Sequence, residues 1–90
     1  MMKAIITVIG KDSVGILAKV STACAEVDVN IIEVTQSVLQ DMFAMIMLVD
    51  ISKANIGFEQ LKDSLAKVGE DTSTKIHIMH EDIFNSMHKI

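Results

Sequence analysis

The side chains able to do chemistry in this chain fall in a few short stretches. Gly10-Lys11-Asp12-Ser13-Val14-Gly15 sets a cation, a carboxylate and a hydroxyl between two glycines. Asn30, which can both donate and accept hydrogen bonds, opens an apolar run with Ile31. His77 and His80 stand three apart in an alternating stretch. They therefore point to opposite faces of a strand and do not chelate one metal, so no metal site is expected there. Cys24 is the only thiol, which excludes an internal disulfide and any Cys-rich metal site. It fits an apolar helical stripe, where cysteine behaves as a small hydrophobe. A reactive thiol would need exposure and a positive neighbour. His88 lies beside Lys89 in the tail, a place for a pH-dependent contact. No nucleophile–base pair, paired-carboxylate motif or phosphate loop is visible, so no enzyme activity and no cofactor are expected.

The elements that must position these residues can be read from periodicity. Residues 3–9 are β-branched and apolar up to Gly10, which reads as a buried strand. Val14, Leu17, Val20, Cys24 and Val27 recur at steps of three and four, the stripe of an amphipathic helix, with Asp12 or Ser13 as its cap. Asp28 tolerates the left-handed conformation that ends helices. Asn30 to Leu39 reads as a second strand, with Ile32, Val34 and Val38 on one face and Glu33, Thr35 and Ser37 on the other. Gln40-Asp41-Met42 makes the turn into a third strand, Phe43 to Ile51, so the two pair as a hairpin. Phe58, Leu61, Leu65 and Val68 form a second helical stripe, with Gly69 as its stop and residues 70–74 as a polar loop. Lys75 to Glu81 is a fourth strand. Asp82 caps a short last helix in which Ile83, Phe84 and Met87 share a side. The order β-α-β-β-α-β is the split βαβ, ferredoxin-like arrangement. It implies an α+β sandwich, a four-stranded antiparallel sheet in the order 4-1-3-2 with two helices on one face. With no linker or low-complexity segment, residues 1–90 read as a single domain.

Composition and charge remove several classes of function. Half of the residues are hydrophobic and proline is absent, which argues against disorder. Twelve acidic residues against eight lysines leave a net charge of -4, with no arginine, tryptophan or tyrosine. Nucleic acid would want a basic footprint, and a membrane-surface helix a basic face. The longest uncharged apolar run, Met42 to Val49, is eight residues and too short to span a bilayer. Gly10, Lys11 and Asp12 arrive too early for a cleavable signal, so the expected setting is the cytoplasm. Three chemistries hosted by ferredoxin-like folds fail on particular residues. An acylphosphatase-type site needs a guanidinium in the first loop, and this chain has only Lys11 there. A soft-metal carrier needs thiolates in that loop, which has none. An RNA-recognition surface needs aromatic residues on the central strands, and Phe43 alone is available.

Gly10-Lys11-Asp12-Ser13-Val14-Gly15-Ile16-Leu17, followed by Val29-Asn30-Ile31-Ile32, resembles the ACT domain family. The family pattern is a strand, Asp-x-x-Gly-Ile or Leu, a helix, then Asn-Ile after a helix-ending glycine. Asp12, Gly15, Ile16, Asn30 and Ile31 match it, and Asp28 stands where that glycine often is. The tail Asp82-Ile83-Phe84, with Met87-His88-Lys89-Ile90, is similar to that of small stand-alone bacterial ACT proteins. Those are related to the ACT regions of the glycine cleavage repressor and phosphoserine phosphatase.

The resemblance implies a regulatory protein that binds an amino acid or similar small metabolite between two subunits and signals to a partner protein. The candidate ligand-binding residues are Lys11, Asp12, Ser13, Val14, Gly15, Ile16, Asn30 and Ile31. A helix start leaves about four N–H groups without intrahelical partners and adds roughly half a positive charge. A ligand carboxylate can sit at Val14, Gly15 and Ile16, where glycine permits close approach, and Asp12 can meet an ammonium group. The alternative is a ligand-free interaction or dimerisation module of the same fold, in which these residues only cap, pack and start strands. A homodimer is expected in either case. Edge pairing through the second strand would join two sheets into one. Met45, Met47, Val49, Met79 and Ile9 are expected opposite the helices, as an apolar interface. The last helix is expected to pack simply over the end of the core, the other reading being that it crosses to a neighbouring subunit or lids the ligand loop.

Overall fold

The computed structural model describes residues 2–11 and 15–87. Asp12, Ser13 and Val14 of the candidate loop, and the tail residues His88, Lys89 and Ile90, lie outside the described residues. In chain order the elements are β1 (Lys3–Gly10), α1 (Ile16–Glu26), β2 (Asn30–Leu39), β3 (Met42–Asp50), α2 (Phe58–Thr72), β4 (Lys75–His80) and α3 (Glu81–Met87). The strands form one antiparallel sheet in the order β2-β3-β1-β4, the 4-1-3-2 order expected from the sequence. This is the ferredoxin-like α+β sandwich.

One core holds the two layers together. Ala4, Ile6 and Val8 of β1 share a face with Phe43, Met45, Met47 and Val49 of β3 and Ile78 of β4. Ile16, Val20, Ala23 and Cys24 of α1 and Leu61 and Leu65 of α2 close over them. The expected placement of Met45, Met47 and Val49 on the open face is therefore wrong, while Ile9 does lie there and is exposed. Both faces of β3 are apolar, so alternation alone fixes no direction. Pairing does: Met47 sits opposite Ile6 and Met45 opposite Val8, both fully buried.

The stripe of α1 is shifted too. The helix begins at Ile16 with Gly15 in the cap position and no side-chain cap bond, while the expected caps Asp12 and Ser13 lie outside the described residues. Ile16 carries the buried stripe in place of Leu17, which is exposed. Asp28 does take the left-handed conformation, at φ 60°. Its carboxylate accepts a hydrogen bond from Asn55 Nδ2 at 3.0 Å.

In β2 the pairing with β3 slips between Ile31 and Glu33, a β-bulge. Ile32 is the extra residue and points outward, so Ile31 and Val34, not Ile32 and Val34, face the helices. Gly69 does not stop α2, which runs on to Thr72 and ends at a left-handed Ser73. Glycine is needed at 69 because a Cβ there would lie 2.9 Å from the Thr74 carbonyl oxygen. Asp82 lies inside α3 rather than capping it, because β4 ends at His80 and the helix begins at once with Glu81.

Candidate functional site

The first part of the candidate site is the exit of β1. Gly10 closes the strand opposite Phe43, and a Cβ on it would meet Thr74 Cγ2 at 2.6 Å. The end of β1 is thus in contact with the turn between α2 and β4. That turn is fixed by its own bonds. Thr74 N donates to the Gly69 carbonyl at 2.9 Å, and the hydroxyls of Thr72 and Thr74 are 2.8 Å apart. Lys11 follows, exposed to solvent.

Gly15 has a left-handed φ of 73°, which disfavours any side chain, although the space around it is open. The first helical bond runs from Lys19 N to the Gly15 carbonyl at 3.0 Å. The N–H groups of Ile16, Leu17 and Ala18 precede it and point toward the loop, as the geometry of any helix start requires. Ile16 turns its side chain into the core and offers only backbone. Among the described residues, no acidic side chain stands in the first turn of α1.

The second part of the candidate site lies elsewhere. Asn30 pairs with Asp50, at the end of the sheet where Lys3 also pairs with Asp50. Gly10 pairs with Phe43 at the opposite end. Seven rungs of strand separate them, roughly 23 Å at the usual rise per residue. Within one chain, therefore, Asn30 and Ile31 are not brought to Lys11, Gly15 and Ile16. Asn30 is exposed beside a shallow hollow shared with Asp28 and Lys53, while Ile31 is half-buried against the core. Near this end the exposed Asp50 carboxylate accepts two bonds from Ser52, from Oγ at 2.6 Å and N at 2.9 Å. These bonds hold its pKa below the usual carboxylate value.

The remaining chemical groups are placed as follows. Cys24 is fully buried in the α1 stripe, and burial pushes its thiol up to about 11. His80 turns to the helix side and stacks on Phe58, ring centroids 4.3 Å apart. His77 points to the open face opposite Thr7 and is exposed. The sequence reading missed a groove of about 660 Å³ at the β1-exit end, bordered by Ile9, Lys11, Met42, Lys75 and His77. Its signal was present in the cross-strand partnership of Ile9 with Lys75, which only the register reveals.

The element order and the strand order define a ferredoxin-like α+β domain. A model of the ACT domain matches residues 3–79, and the chain belongs to the ACT domain family. A UPF0237 protein of Listeria monocytogenes is 49% identical over 89 residues, covering 99% of this chain and all of that one. A solved ACT domain protein from Streptococcus pneumoniae superposes with a TM-score of 0.81 at 41% identity, covering 92% of this chain and 93% of the other. A solved protein assigned as a glycine cleavage system transcriptional repressor shares the fold, with a TM-score of 0.75 at 22% identity. The match covers 88% of this chain and 45% of that one. ACT domains are typically regulatory ligand-binding domains. Among the described residues, no helix is long and apolar enough to cross a membrane.

Proposed function

We propose that this chain is a small, non-enzymatic regulatory ACT protein of the cytoplasm. It binds an amino acid or similar metabolite at a homodimer and signals to another protein. The observation that carries this reading is the split of the matched motif between opposite ends of one sheet. β2 is an end strand and free to pair. If two copies pair antiparallel through β2, the Asn30 end of one strand lies beside the Leu39 end of the other. That is the end at which β1 gives way to α1. A site assembled from Lys11 to Ile16 of one chain and Asn30 and Ile31 of the partner subunit then becomes possible, and dimerisation is part of binding. In this reading the ligand carboxylate meets the backbone N–H groups of Val14, Gly15 and Ile16, and its ammonium meets Asp12. Ser13 and Lys11 flank the carboxylate. Occupancy favours one arrangement of the pair, and that shift is the signal.

The test is thermal unfolding followed by circular dichroism against a panel of amino acids, since the chain has no Trp or Tyr. Ligand at about a hundred times its dissociation constant adds roughly 2.7 kcal/mol. In a domain of this size that raises the midpoint by about ten degrees or more. The shift should vanish in Asp12→Ala and Asn30→Ala chains that remain folded. A flat panel at millimolar concentration would refute ligand sensing and leave the interaction module.

A further inference from the structure

Two hollows adjoin at the end of the sheet where β1 begins, the end opposite Gly10. The inner one, of about 150 Å³, lies on the helix side. Ile51, Ala54 and Ile56 of the β3–α2 connection line it with Phe58 and Leu61 of α2, so its wall is apolar. That wall is held by bonds of its own. Ile51 N donates to the Met2 carbonyl at 2.9 Å, and Ala54 N to the Ile51 carbonyl at 3.1 Å. Asn55 ties the connection to the end of α1, from its N to the Val27 carbonyl and from Nδ2 to the Asp28 carboxylate, each at 3.0 Å. The outer hollow, of about 560 Å³, is bordered by Lys3, Ser52, Glu81 and Asp82. The two acids are brought there by the packing of α3 against β1 and β4. Among the described residues, no ion pair joins Lys3 to Glu81 or Asp82. Met2 and the His80 ring border both hollows and stand between them.

We propose that the two hollows form one binding site, complete within a single chain, for a small zwitterion with a compact apolar group. An apolar recess with a few polar groups at its mouth is the usual form of a small-molecule site. The apolar group of the ligand enters the inner hollow. An apolar cavity of about 150 Å³ holds a benzene-sized group, so a branched aliphatic chain or one aromatic ring fits. The ligand ammonium then faces Glu81 and Asp82, and its carboxylate faces Lys3. Charges of both signs, unpaired on one mouth, favour a ligand that carries both over one that carries either alone. Met2, an unbranched thioether that is 53% exposed, is the part of the dividing wall that yields to join the hollows. His80 stays stacked on Phe58 and covers the apolar group. None of these side chains belongs to the matched motif at residues 12–16 and 30–31, and the site needs no second copy.

The experiment is NMR chemical-shift mapping on the isotope-labelled chain, with free leucine as the probe at millimolar concentration. The amide signals of Lys3, Ala54, Phe58, Leu61 and Glu81 should move and saturate. Alanine, which leaves the inner hollow empty, should bind more weakly by more than about tenfold. Isoamylamine and isocaproate, which keep the apolar group and one charge each, should both bind more weakly than leucine. Ala54→Leu fills the inner hollow and should abolish the shifts. Lys3→Gln and Glu81→Gln lie at the mouth, outside the core, and should each weaken leucine by up to about fivefold, as loss of a partly exposed ion pair does. They keep the test sharp if Ala54→Leu fails to fold. Signals at this end that stay unmoved by leucine would overturn the proposal. Movement confined to Gly15, Ile16 and Asn30 would overturn it too, while supporting the loop site of the function proposed above. Movement at this end alone would uphold it and count against the loop site. Alanine or either singly charged probe binding as tightly as leucine would overturn the ligand class.

Discussion

Gly69→Ala should destabilise this protein, against the ordinary expectation for a helix. Gly69 lies inside α2, where alanine is favoured over glycine by about 1 kcal/mol. Opposing this, the added Cβ would lie 2.9 Å from the Thr74 carbonyl oxygen, a backbone atom. The turn cannot withdraw freely, because Thr74 N is bonded to the Gly69 carbonyl and the Thr74 hydroxyl to that of Thr72. Overpacking of this kind costs about 1–3 kcal/mol, and loss of either bond about 1 kcal/mol more. The net loss is about 1–3 kcal/mol, a fall of roughly 4–24 °C in the melting midpoint followed by circular dichroism. Gly10→Ala gives an internal comparison. Its Cβ would meet the same residue, but at the Thr74 side-chain methyl, 2.6 Å away. Thr74→Ser removes that methyl and keeps the hydroxyl. It should therefore rescue Gly10→Ala with a coupling of about 1 kcal/mol or more, and leave Gly69→Ala unrescued. A Gly69→Ala protein that melts above wild type, or equal rescue of both variants, would refute the reasoning.

Met47→Ala, at a fully buried site, should cost about 2–5 kcal/mol in denaturant unfolding, while Ile46→Ala next to it, on the open face, should cost less than half as much. The Cys24 thiol should resist alkylation at neutral pH in the native protein and react at the rate of unfolding, as thiol-labelling kinetics would show. Burial raises its folded pKa from the ordinary 9.0 to about 11, so stability should fall as pH rises from about 9 to about 11. Ser52→Ala should raise the Asp50 pKa toward the ordinary carboxylate range, as read by an NMR titration, because both bonds that lower it come from Ser52 and the hydroxyl bond is lost. In wild type that lowered pKa means that the contribution of Asp50 to stability is present above the usual carboxylate pKa and is lost as pH falls through its own.

The strand order and the split βαβ topology were legible in the sequence because each element carried its own period and breaker. Where the reading erred, a local pattern had no contrast to orient it. β3 is apolar on both faces, so its parity came only from pairing with Ile6 and Val8. One extra residue in β2 reversed the faces after Ile31. Gly69 was read as a helix stop, since sequence cannot distinguish a glycine needed for φ from one needed for space. Gly15, read as a glycine that permits close approach, has a left-handed φ, a reason for glycine that the sequence did not show. The distance between the loop and Asn30 was not legible, since the motif lies within twenty-one consecutive residues yet spans the length of the sheet.

The bulge in β2 also bears on whether this small protein stays out of fibres. A ten-residue end strand displays a row of unpaired backbone groups and invites open-ended stacking. The extra residue at Ile32 twists the first third of that row out of register, so only the stretch from Glu33 onward offers a regular ladder. A short ladder supports one symmetric pairing, after which no free regular edge remains on that side. The opposite edge, β4, has six residues and turns at once into an acidic helix. Deleting Ile32 should straighten the edge, and the expected cost is less in melting temperature than in a new tendency to aggregate.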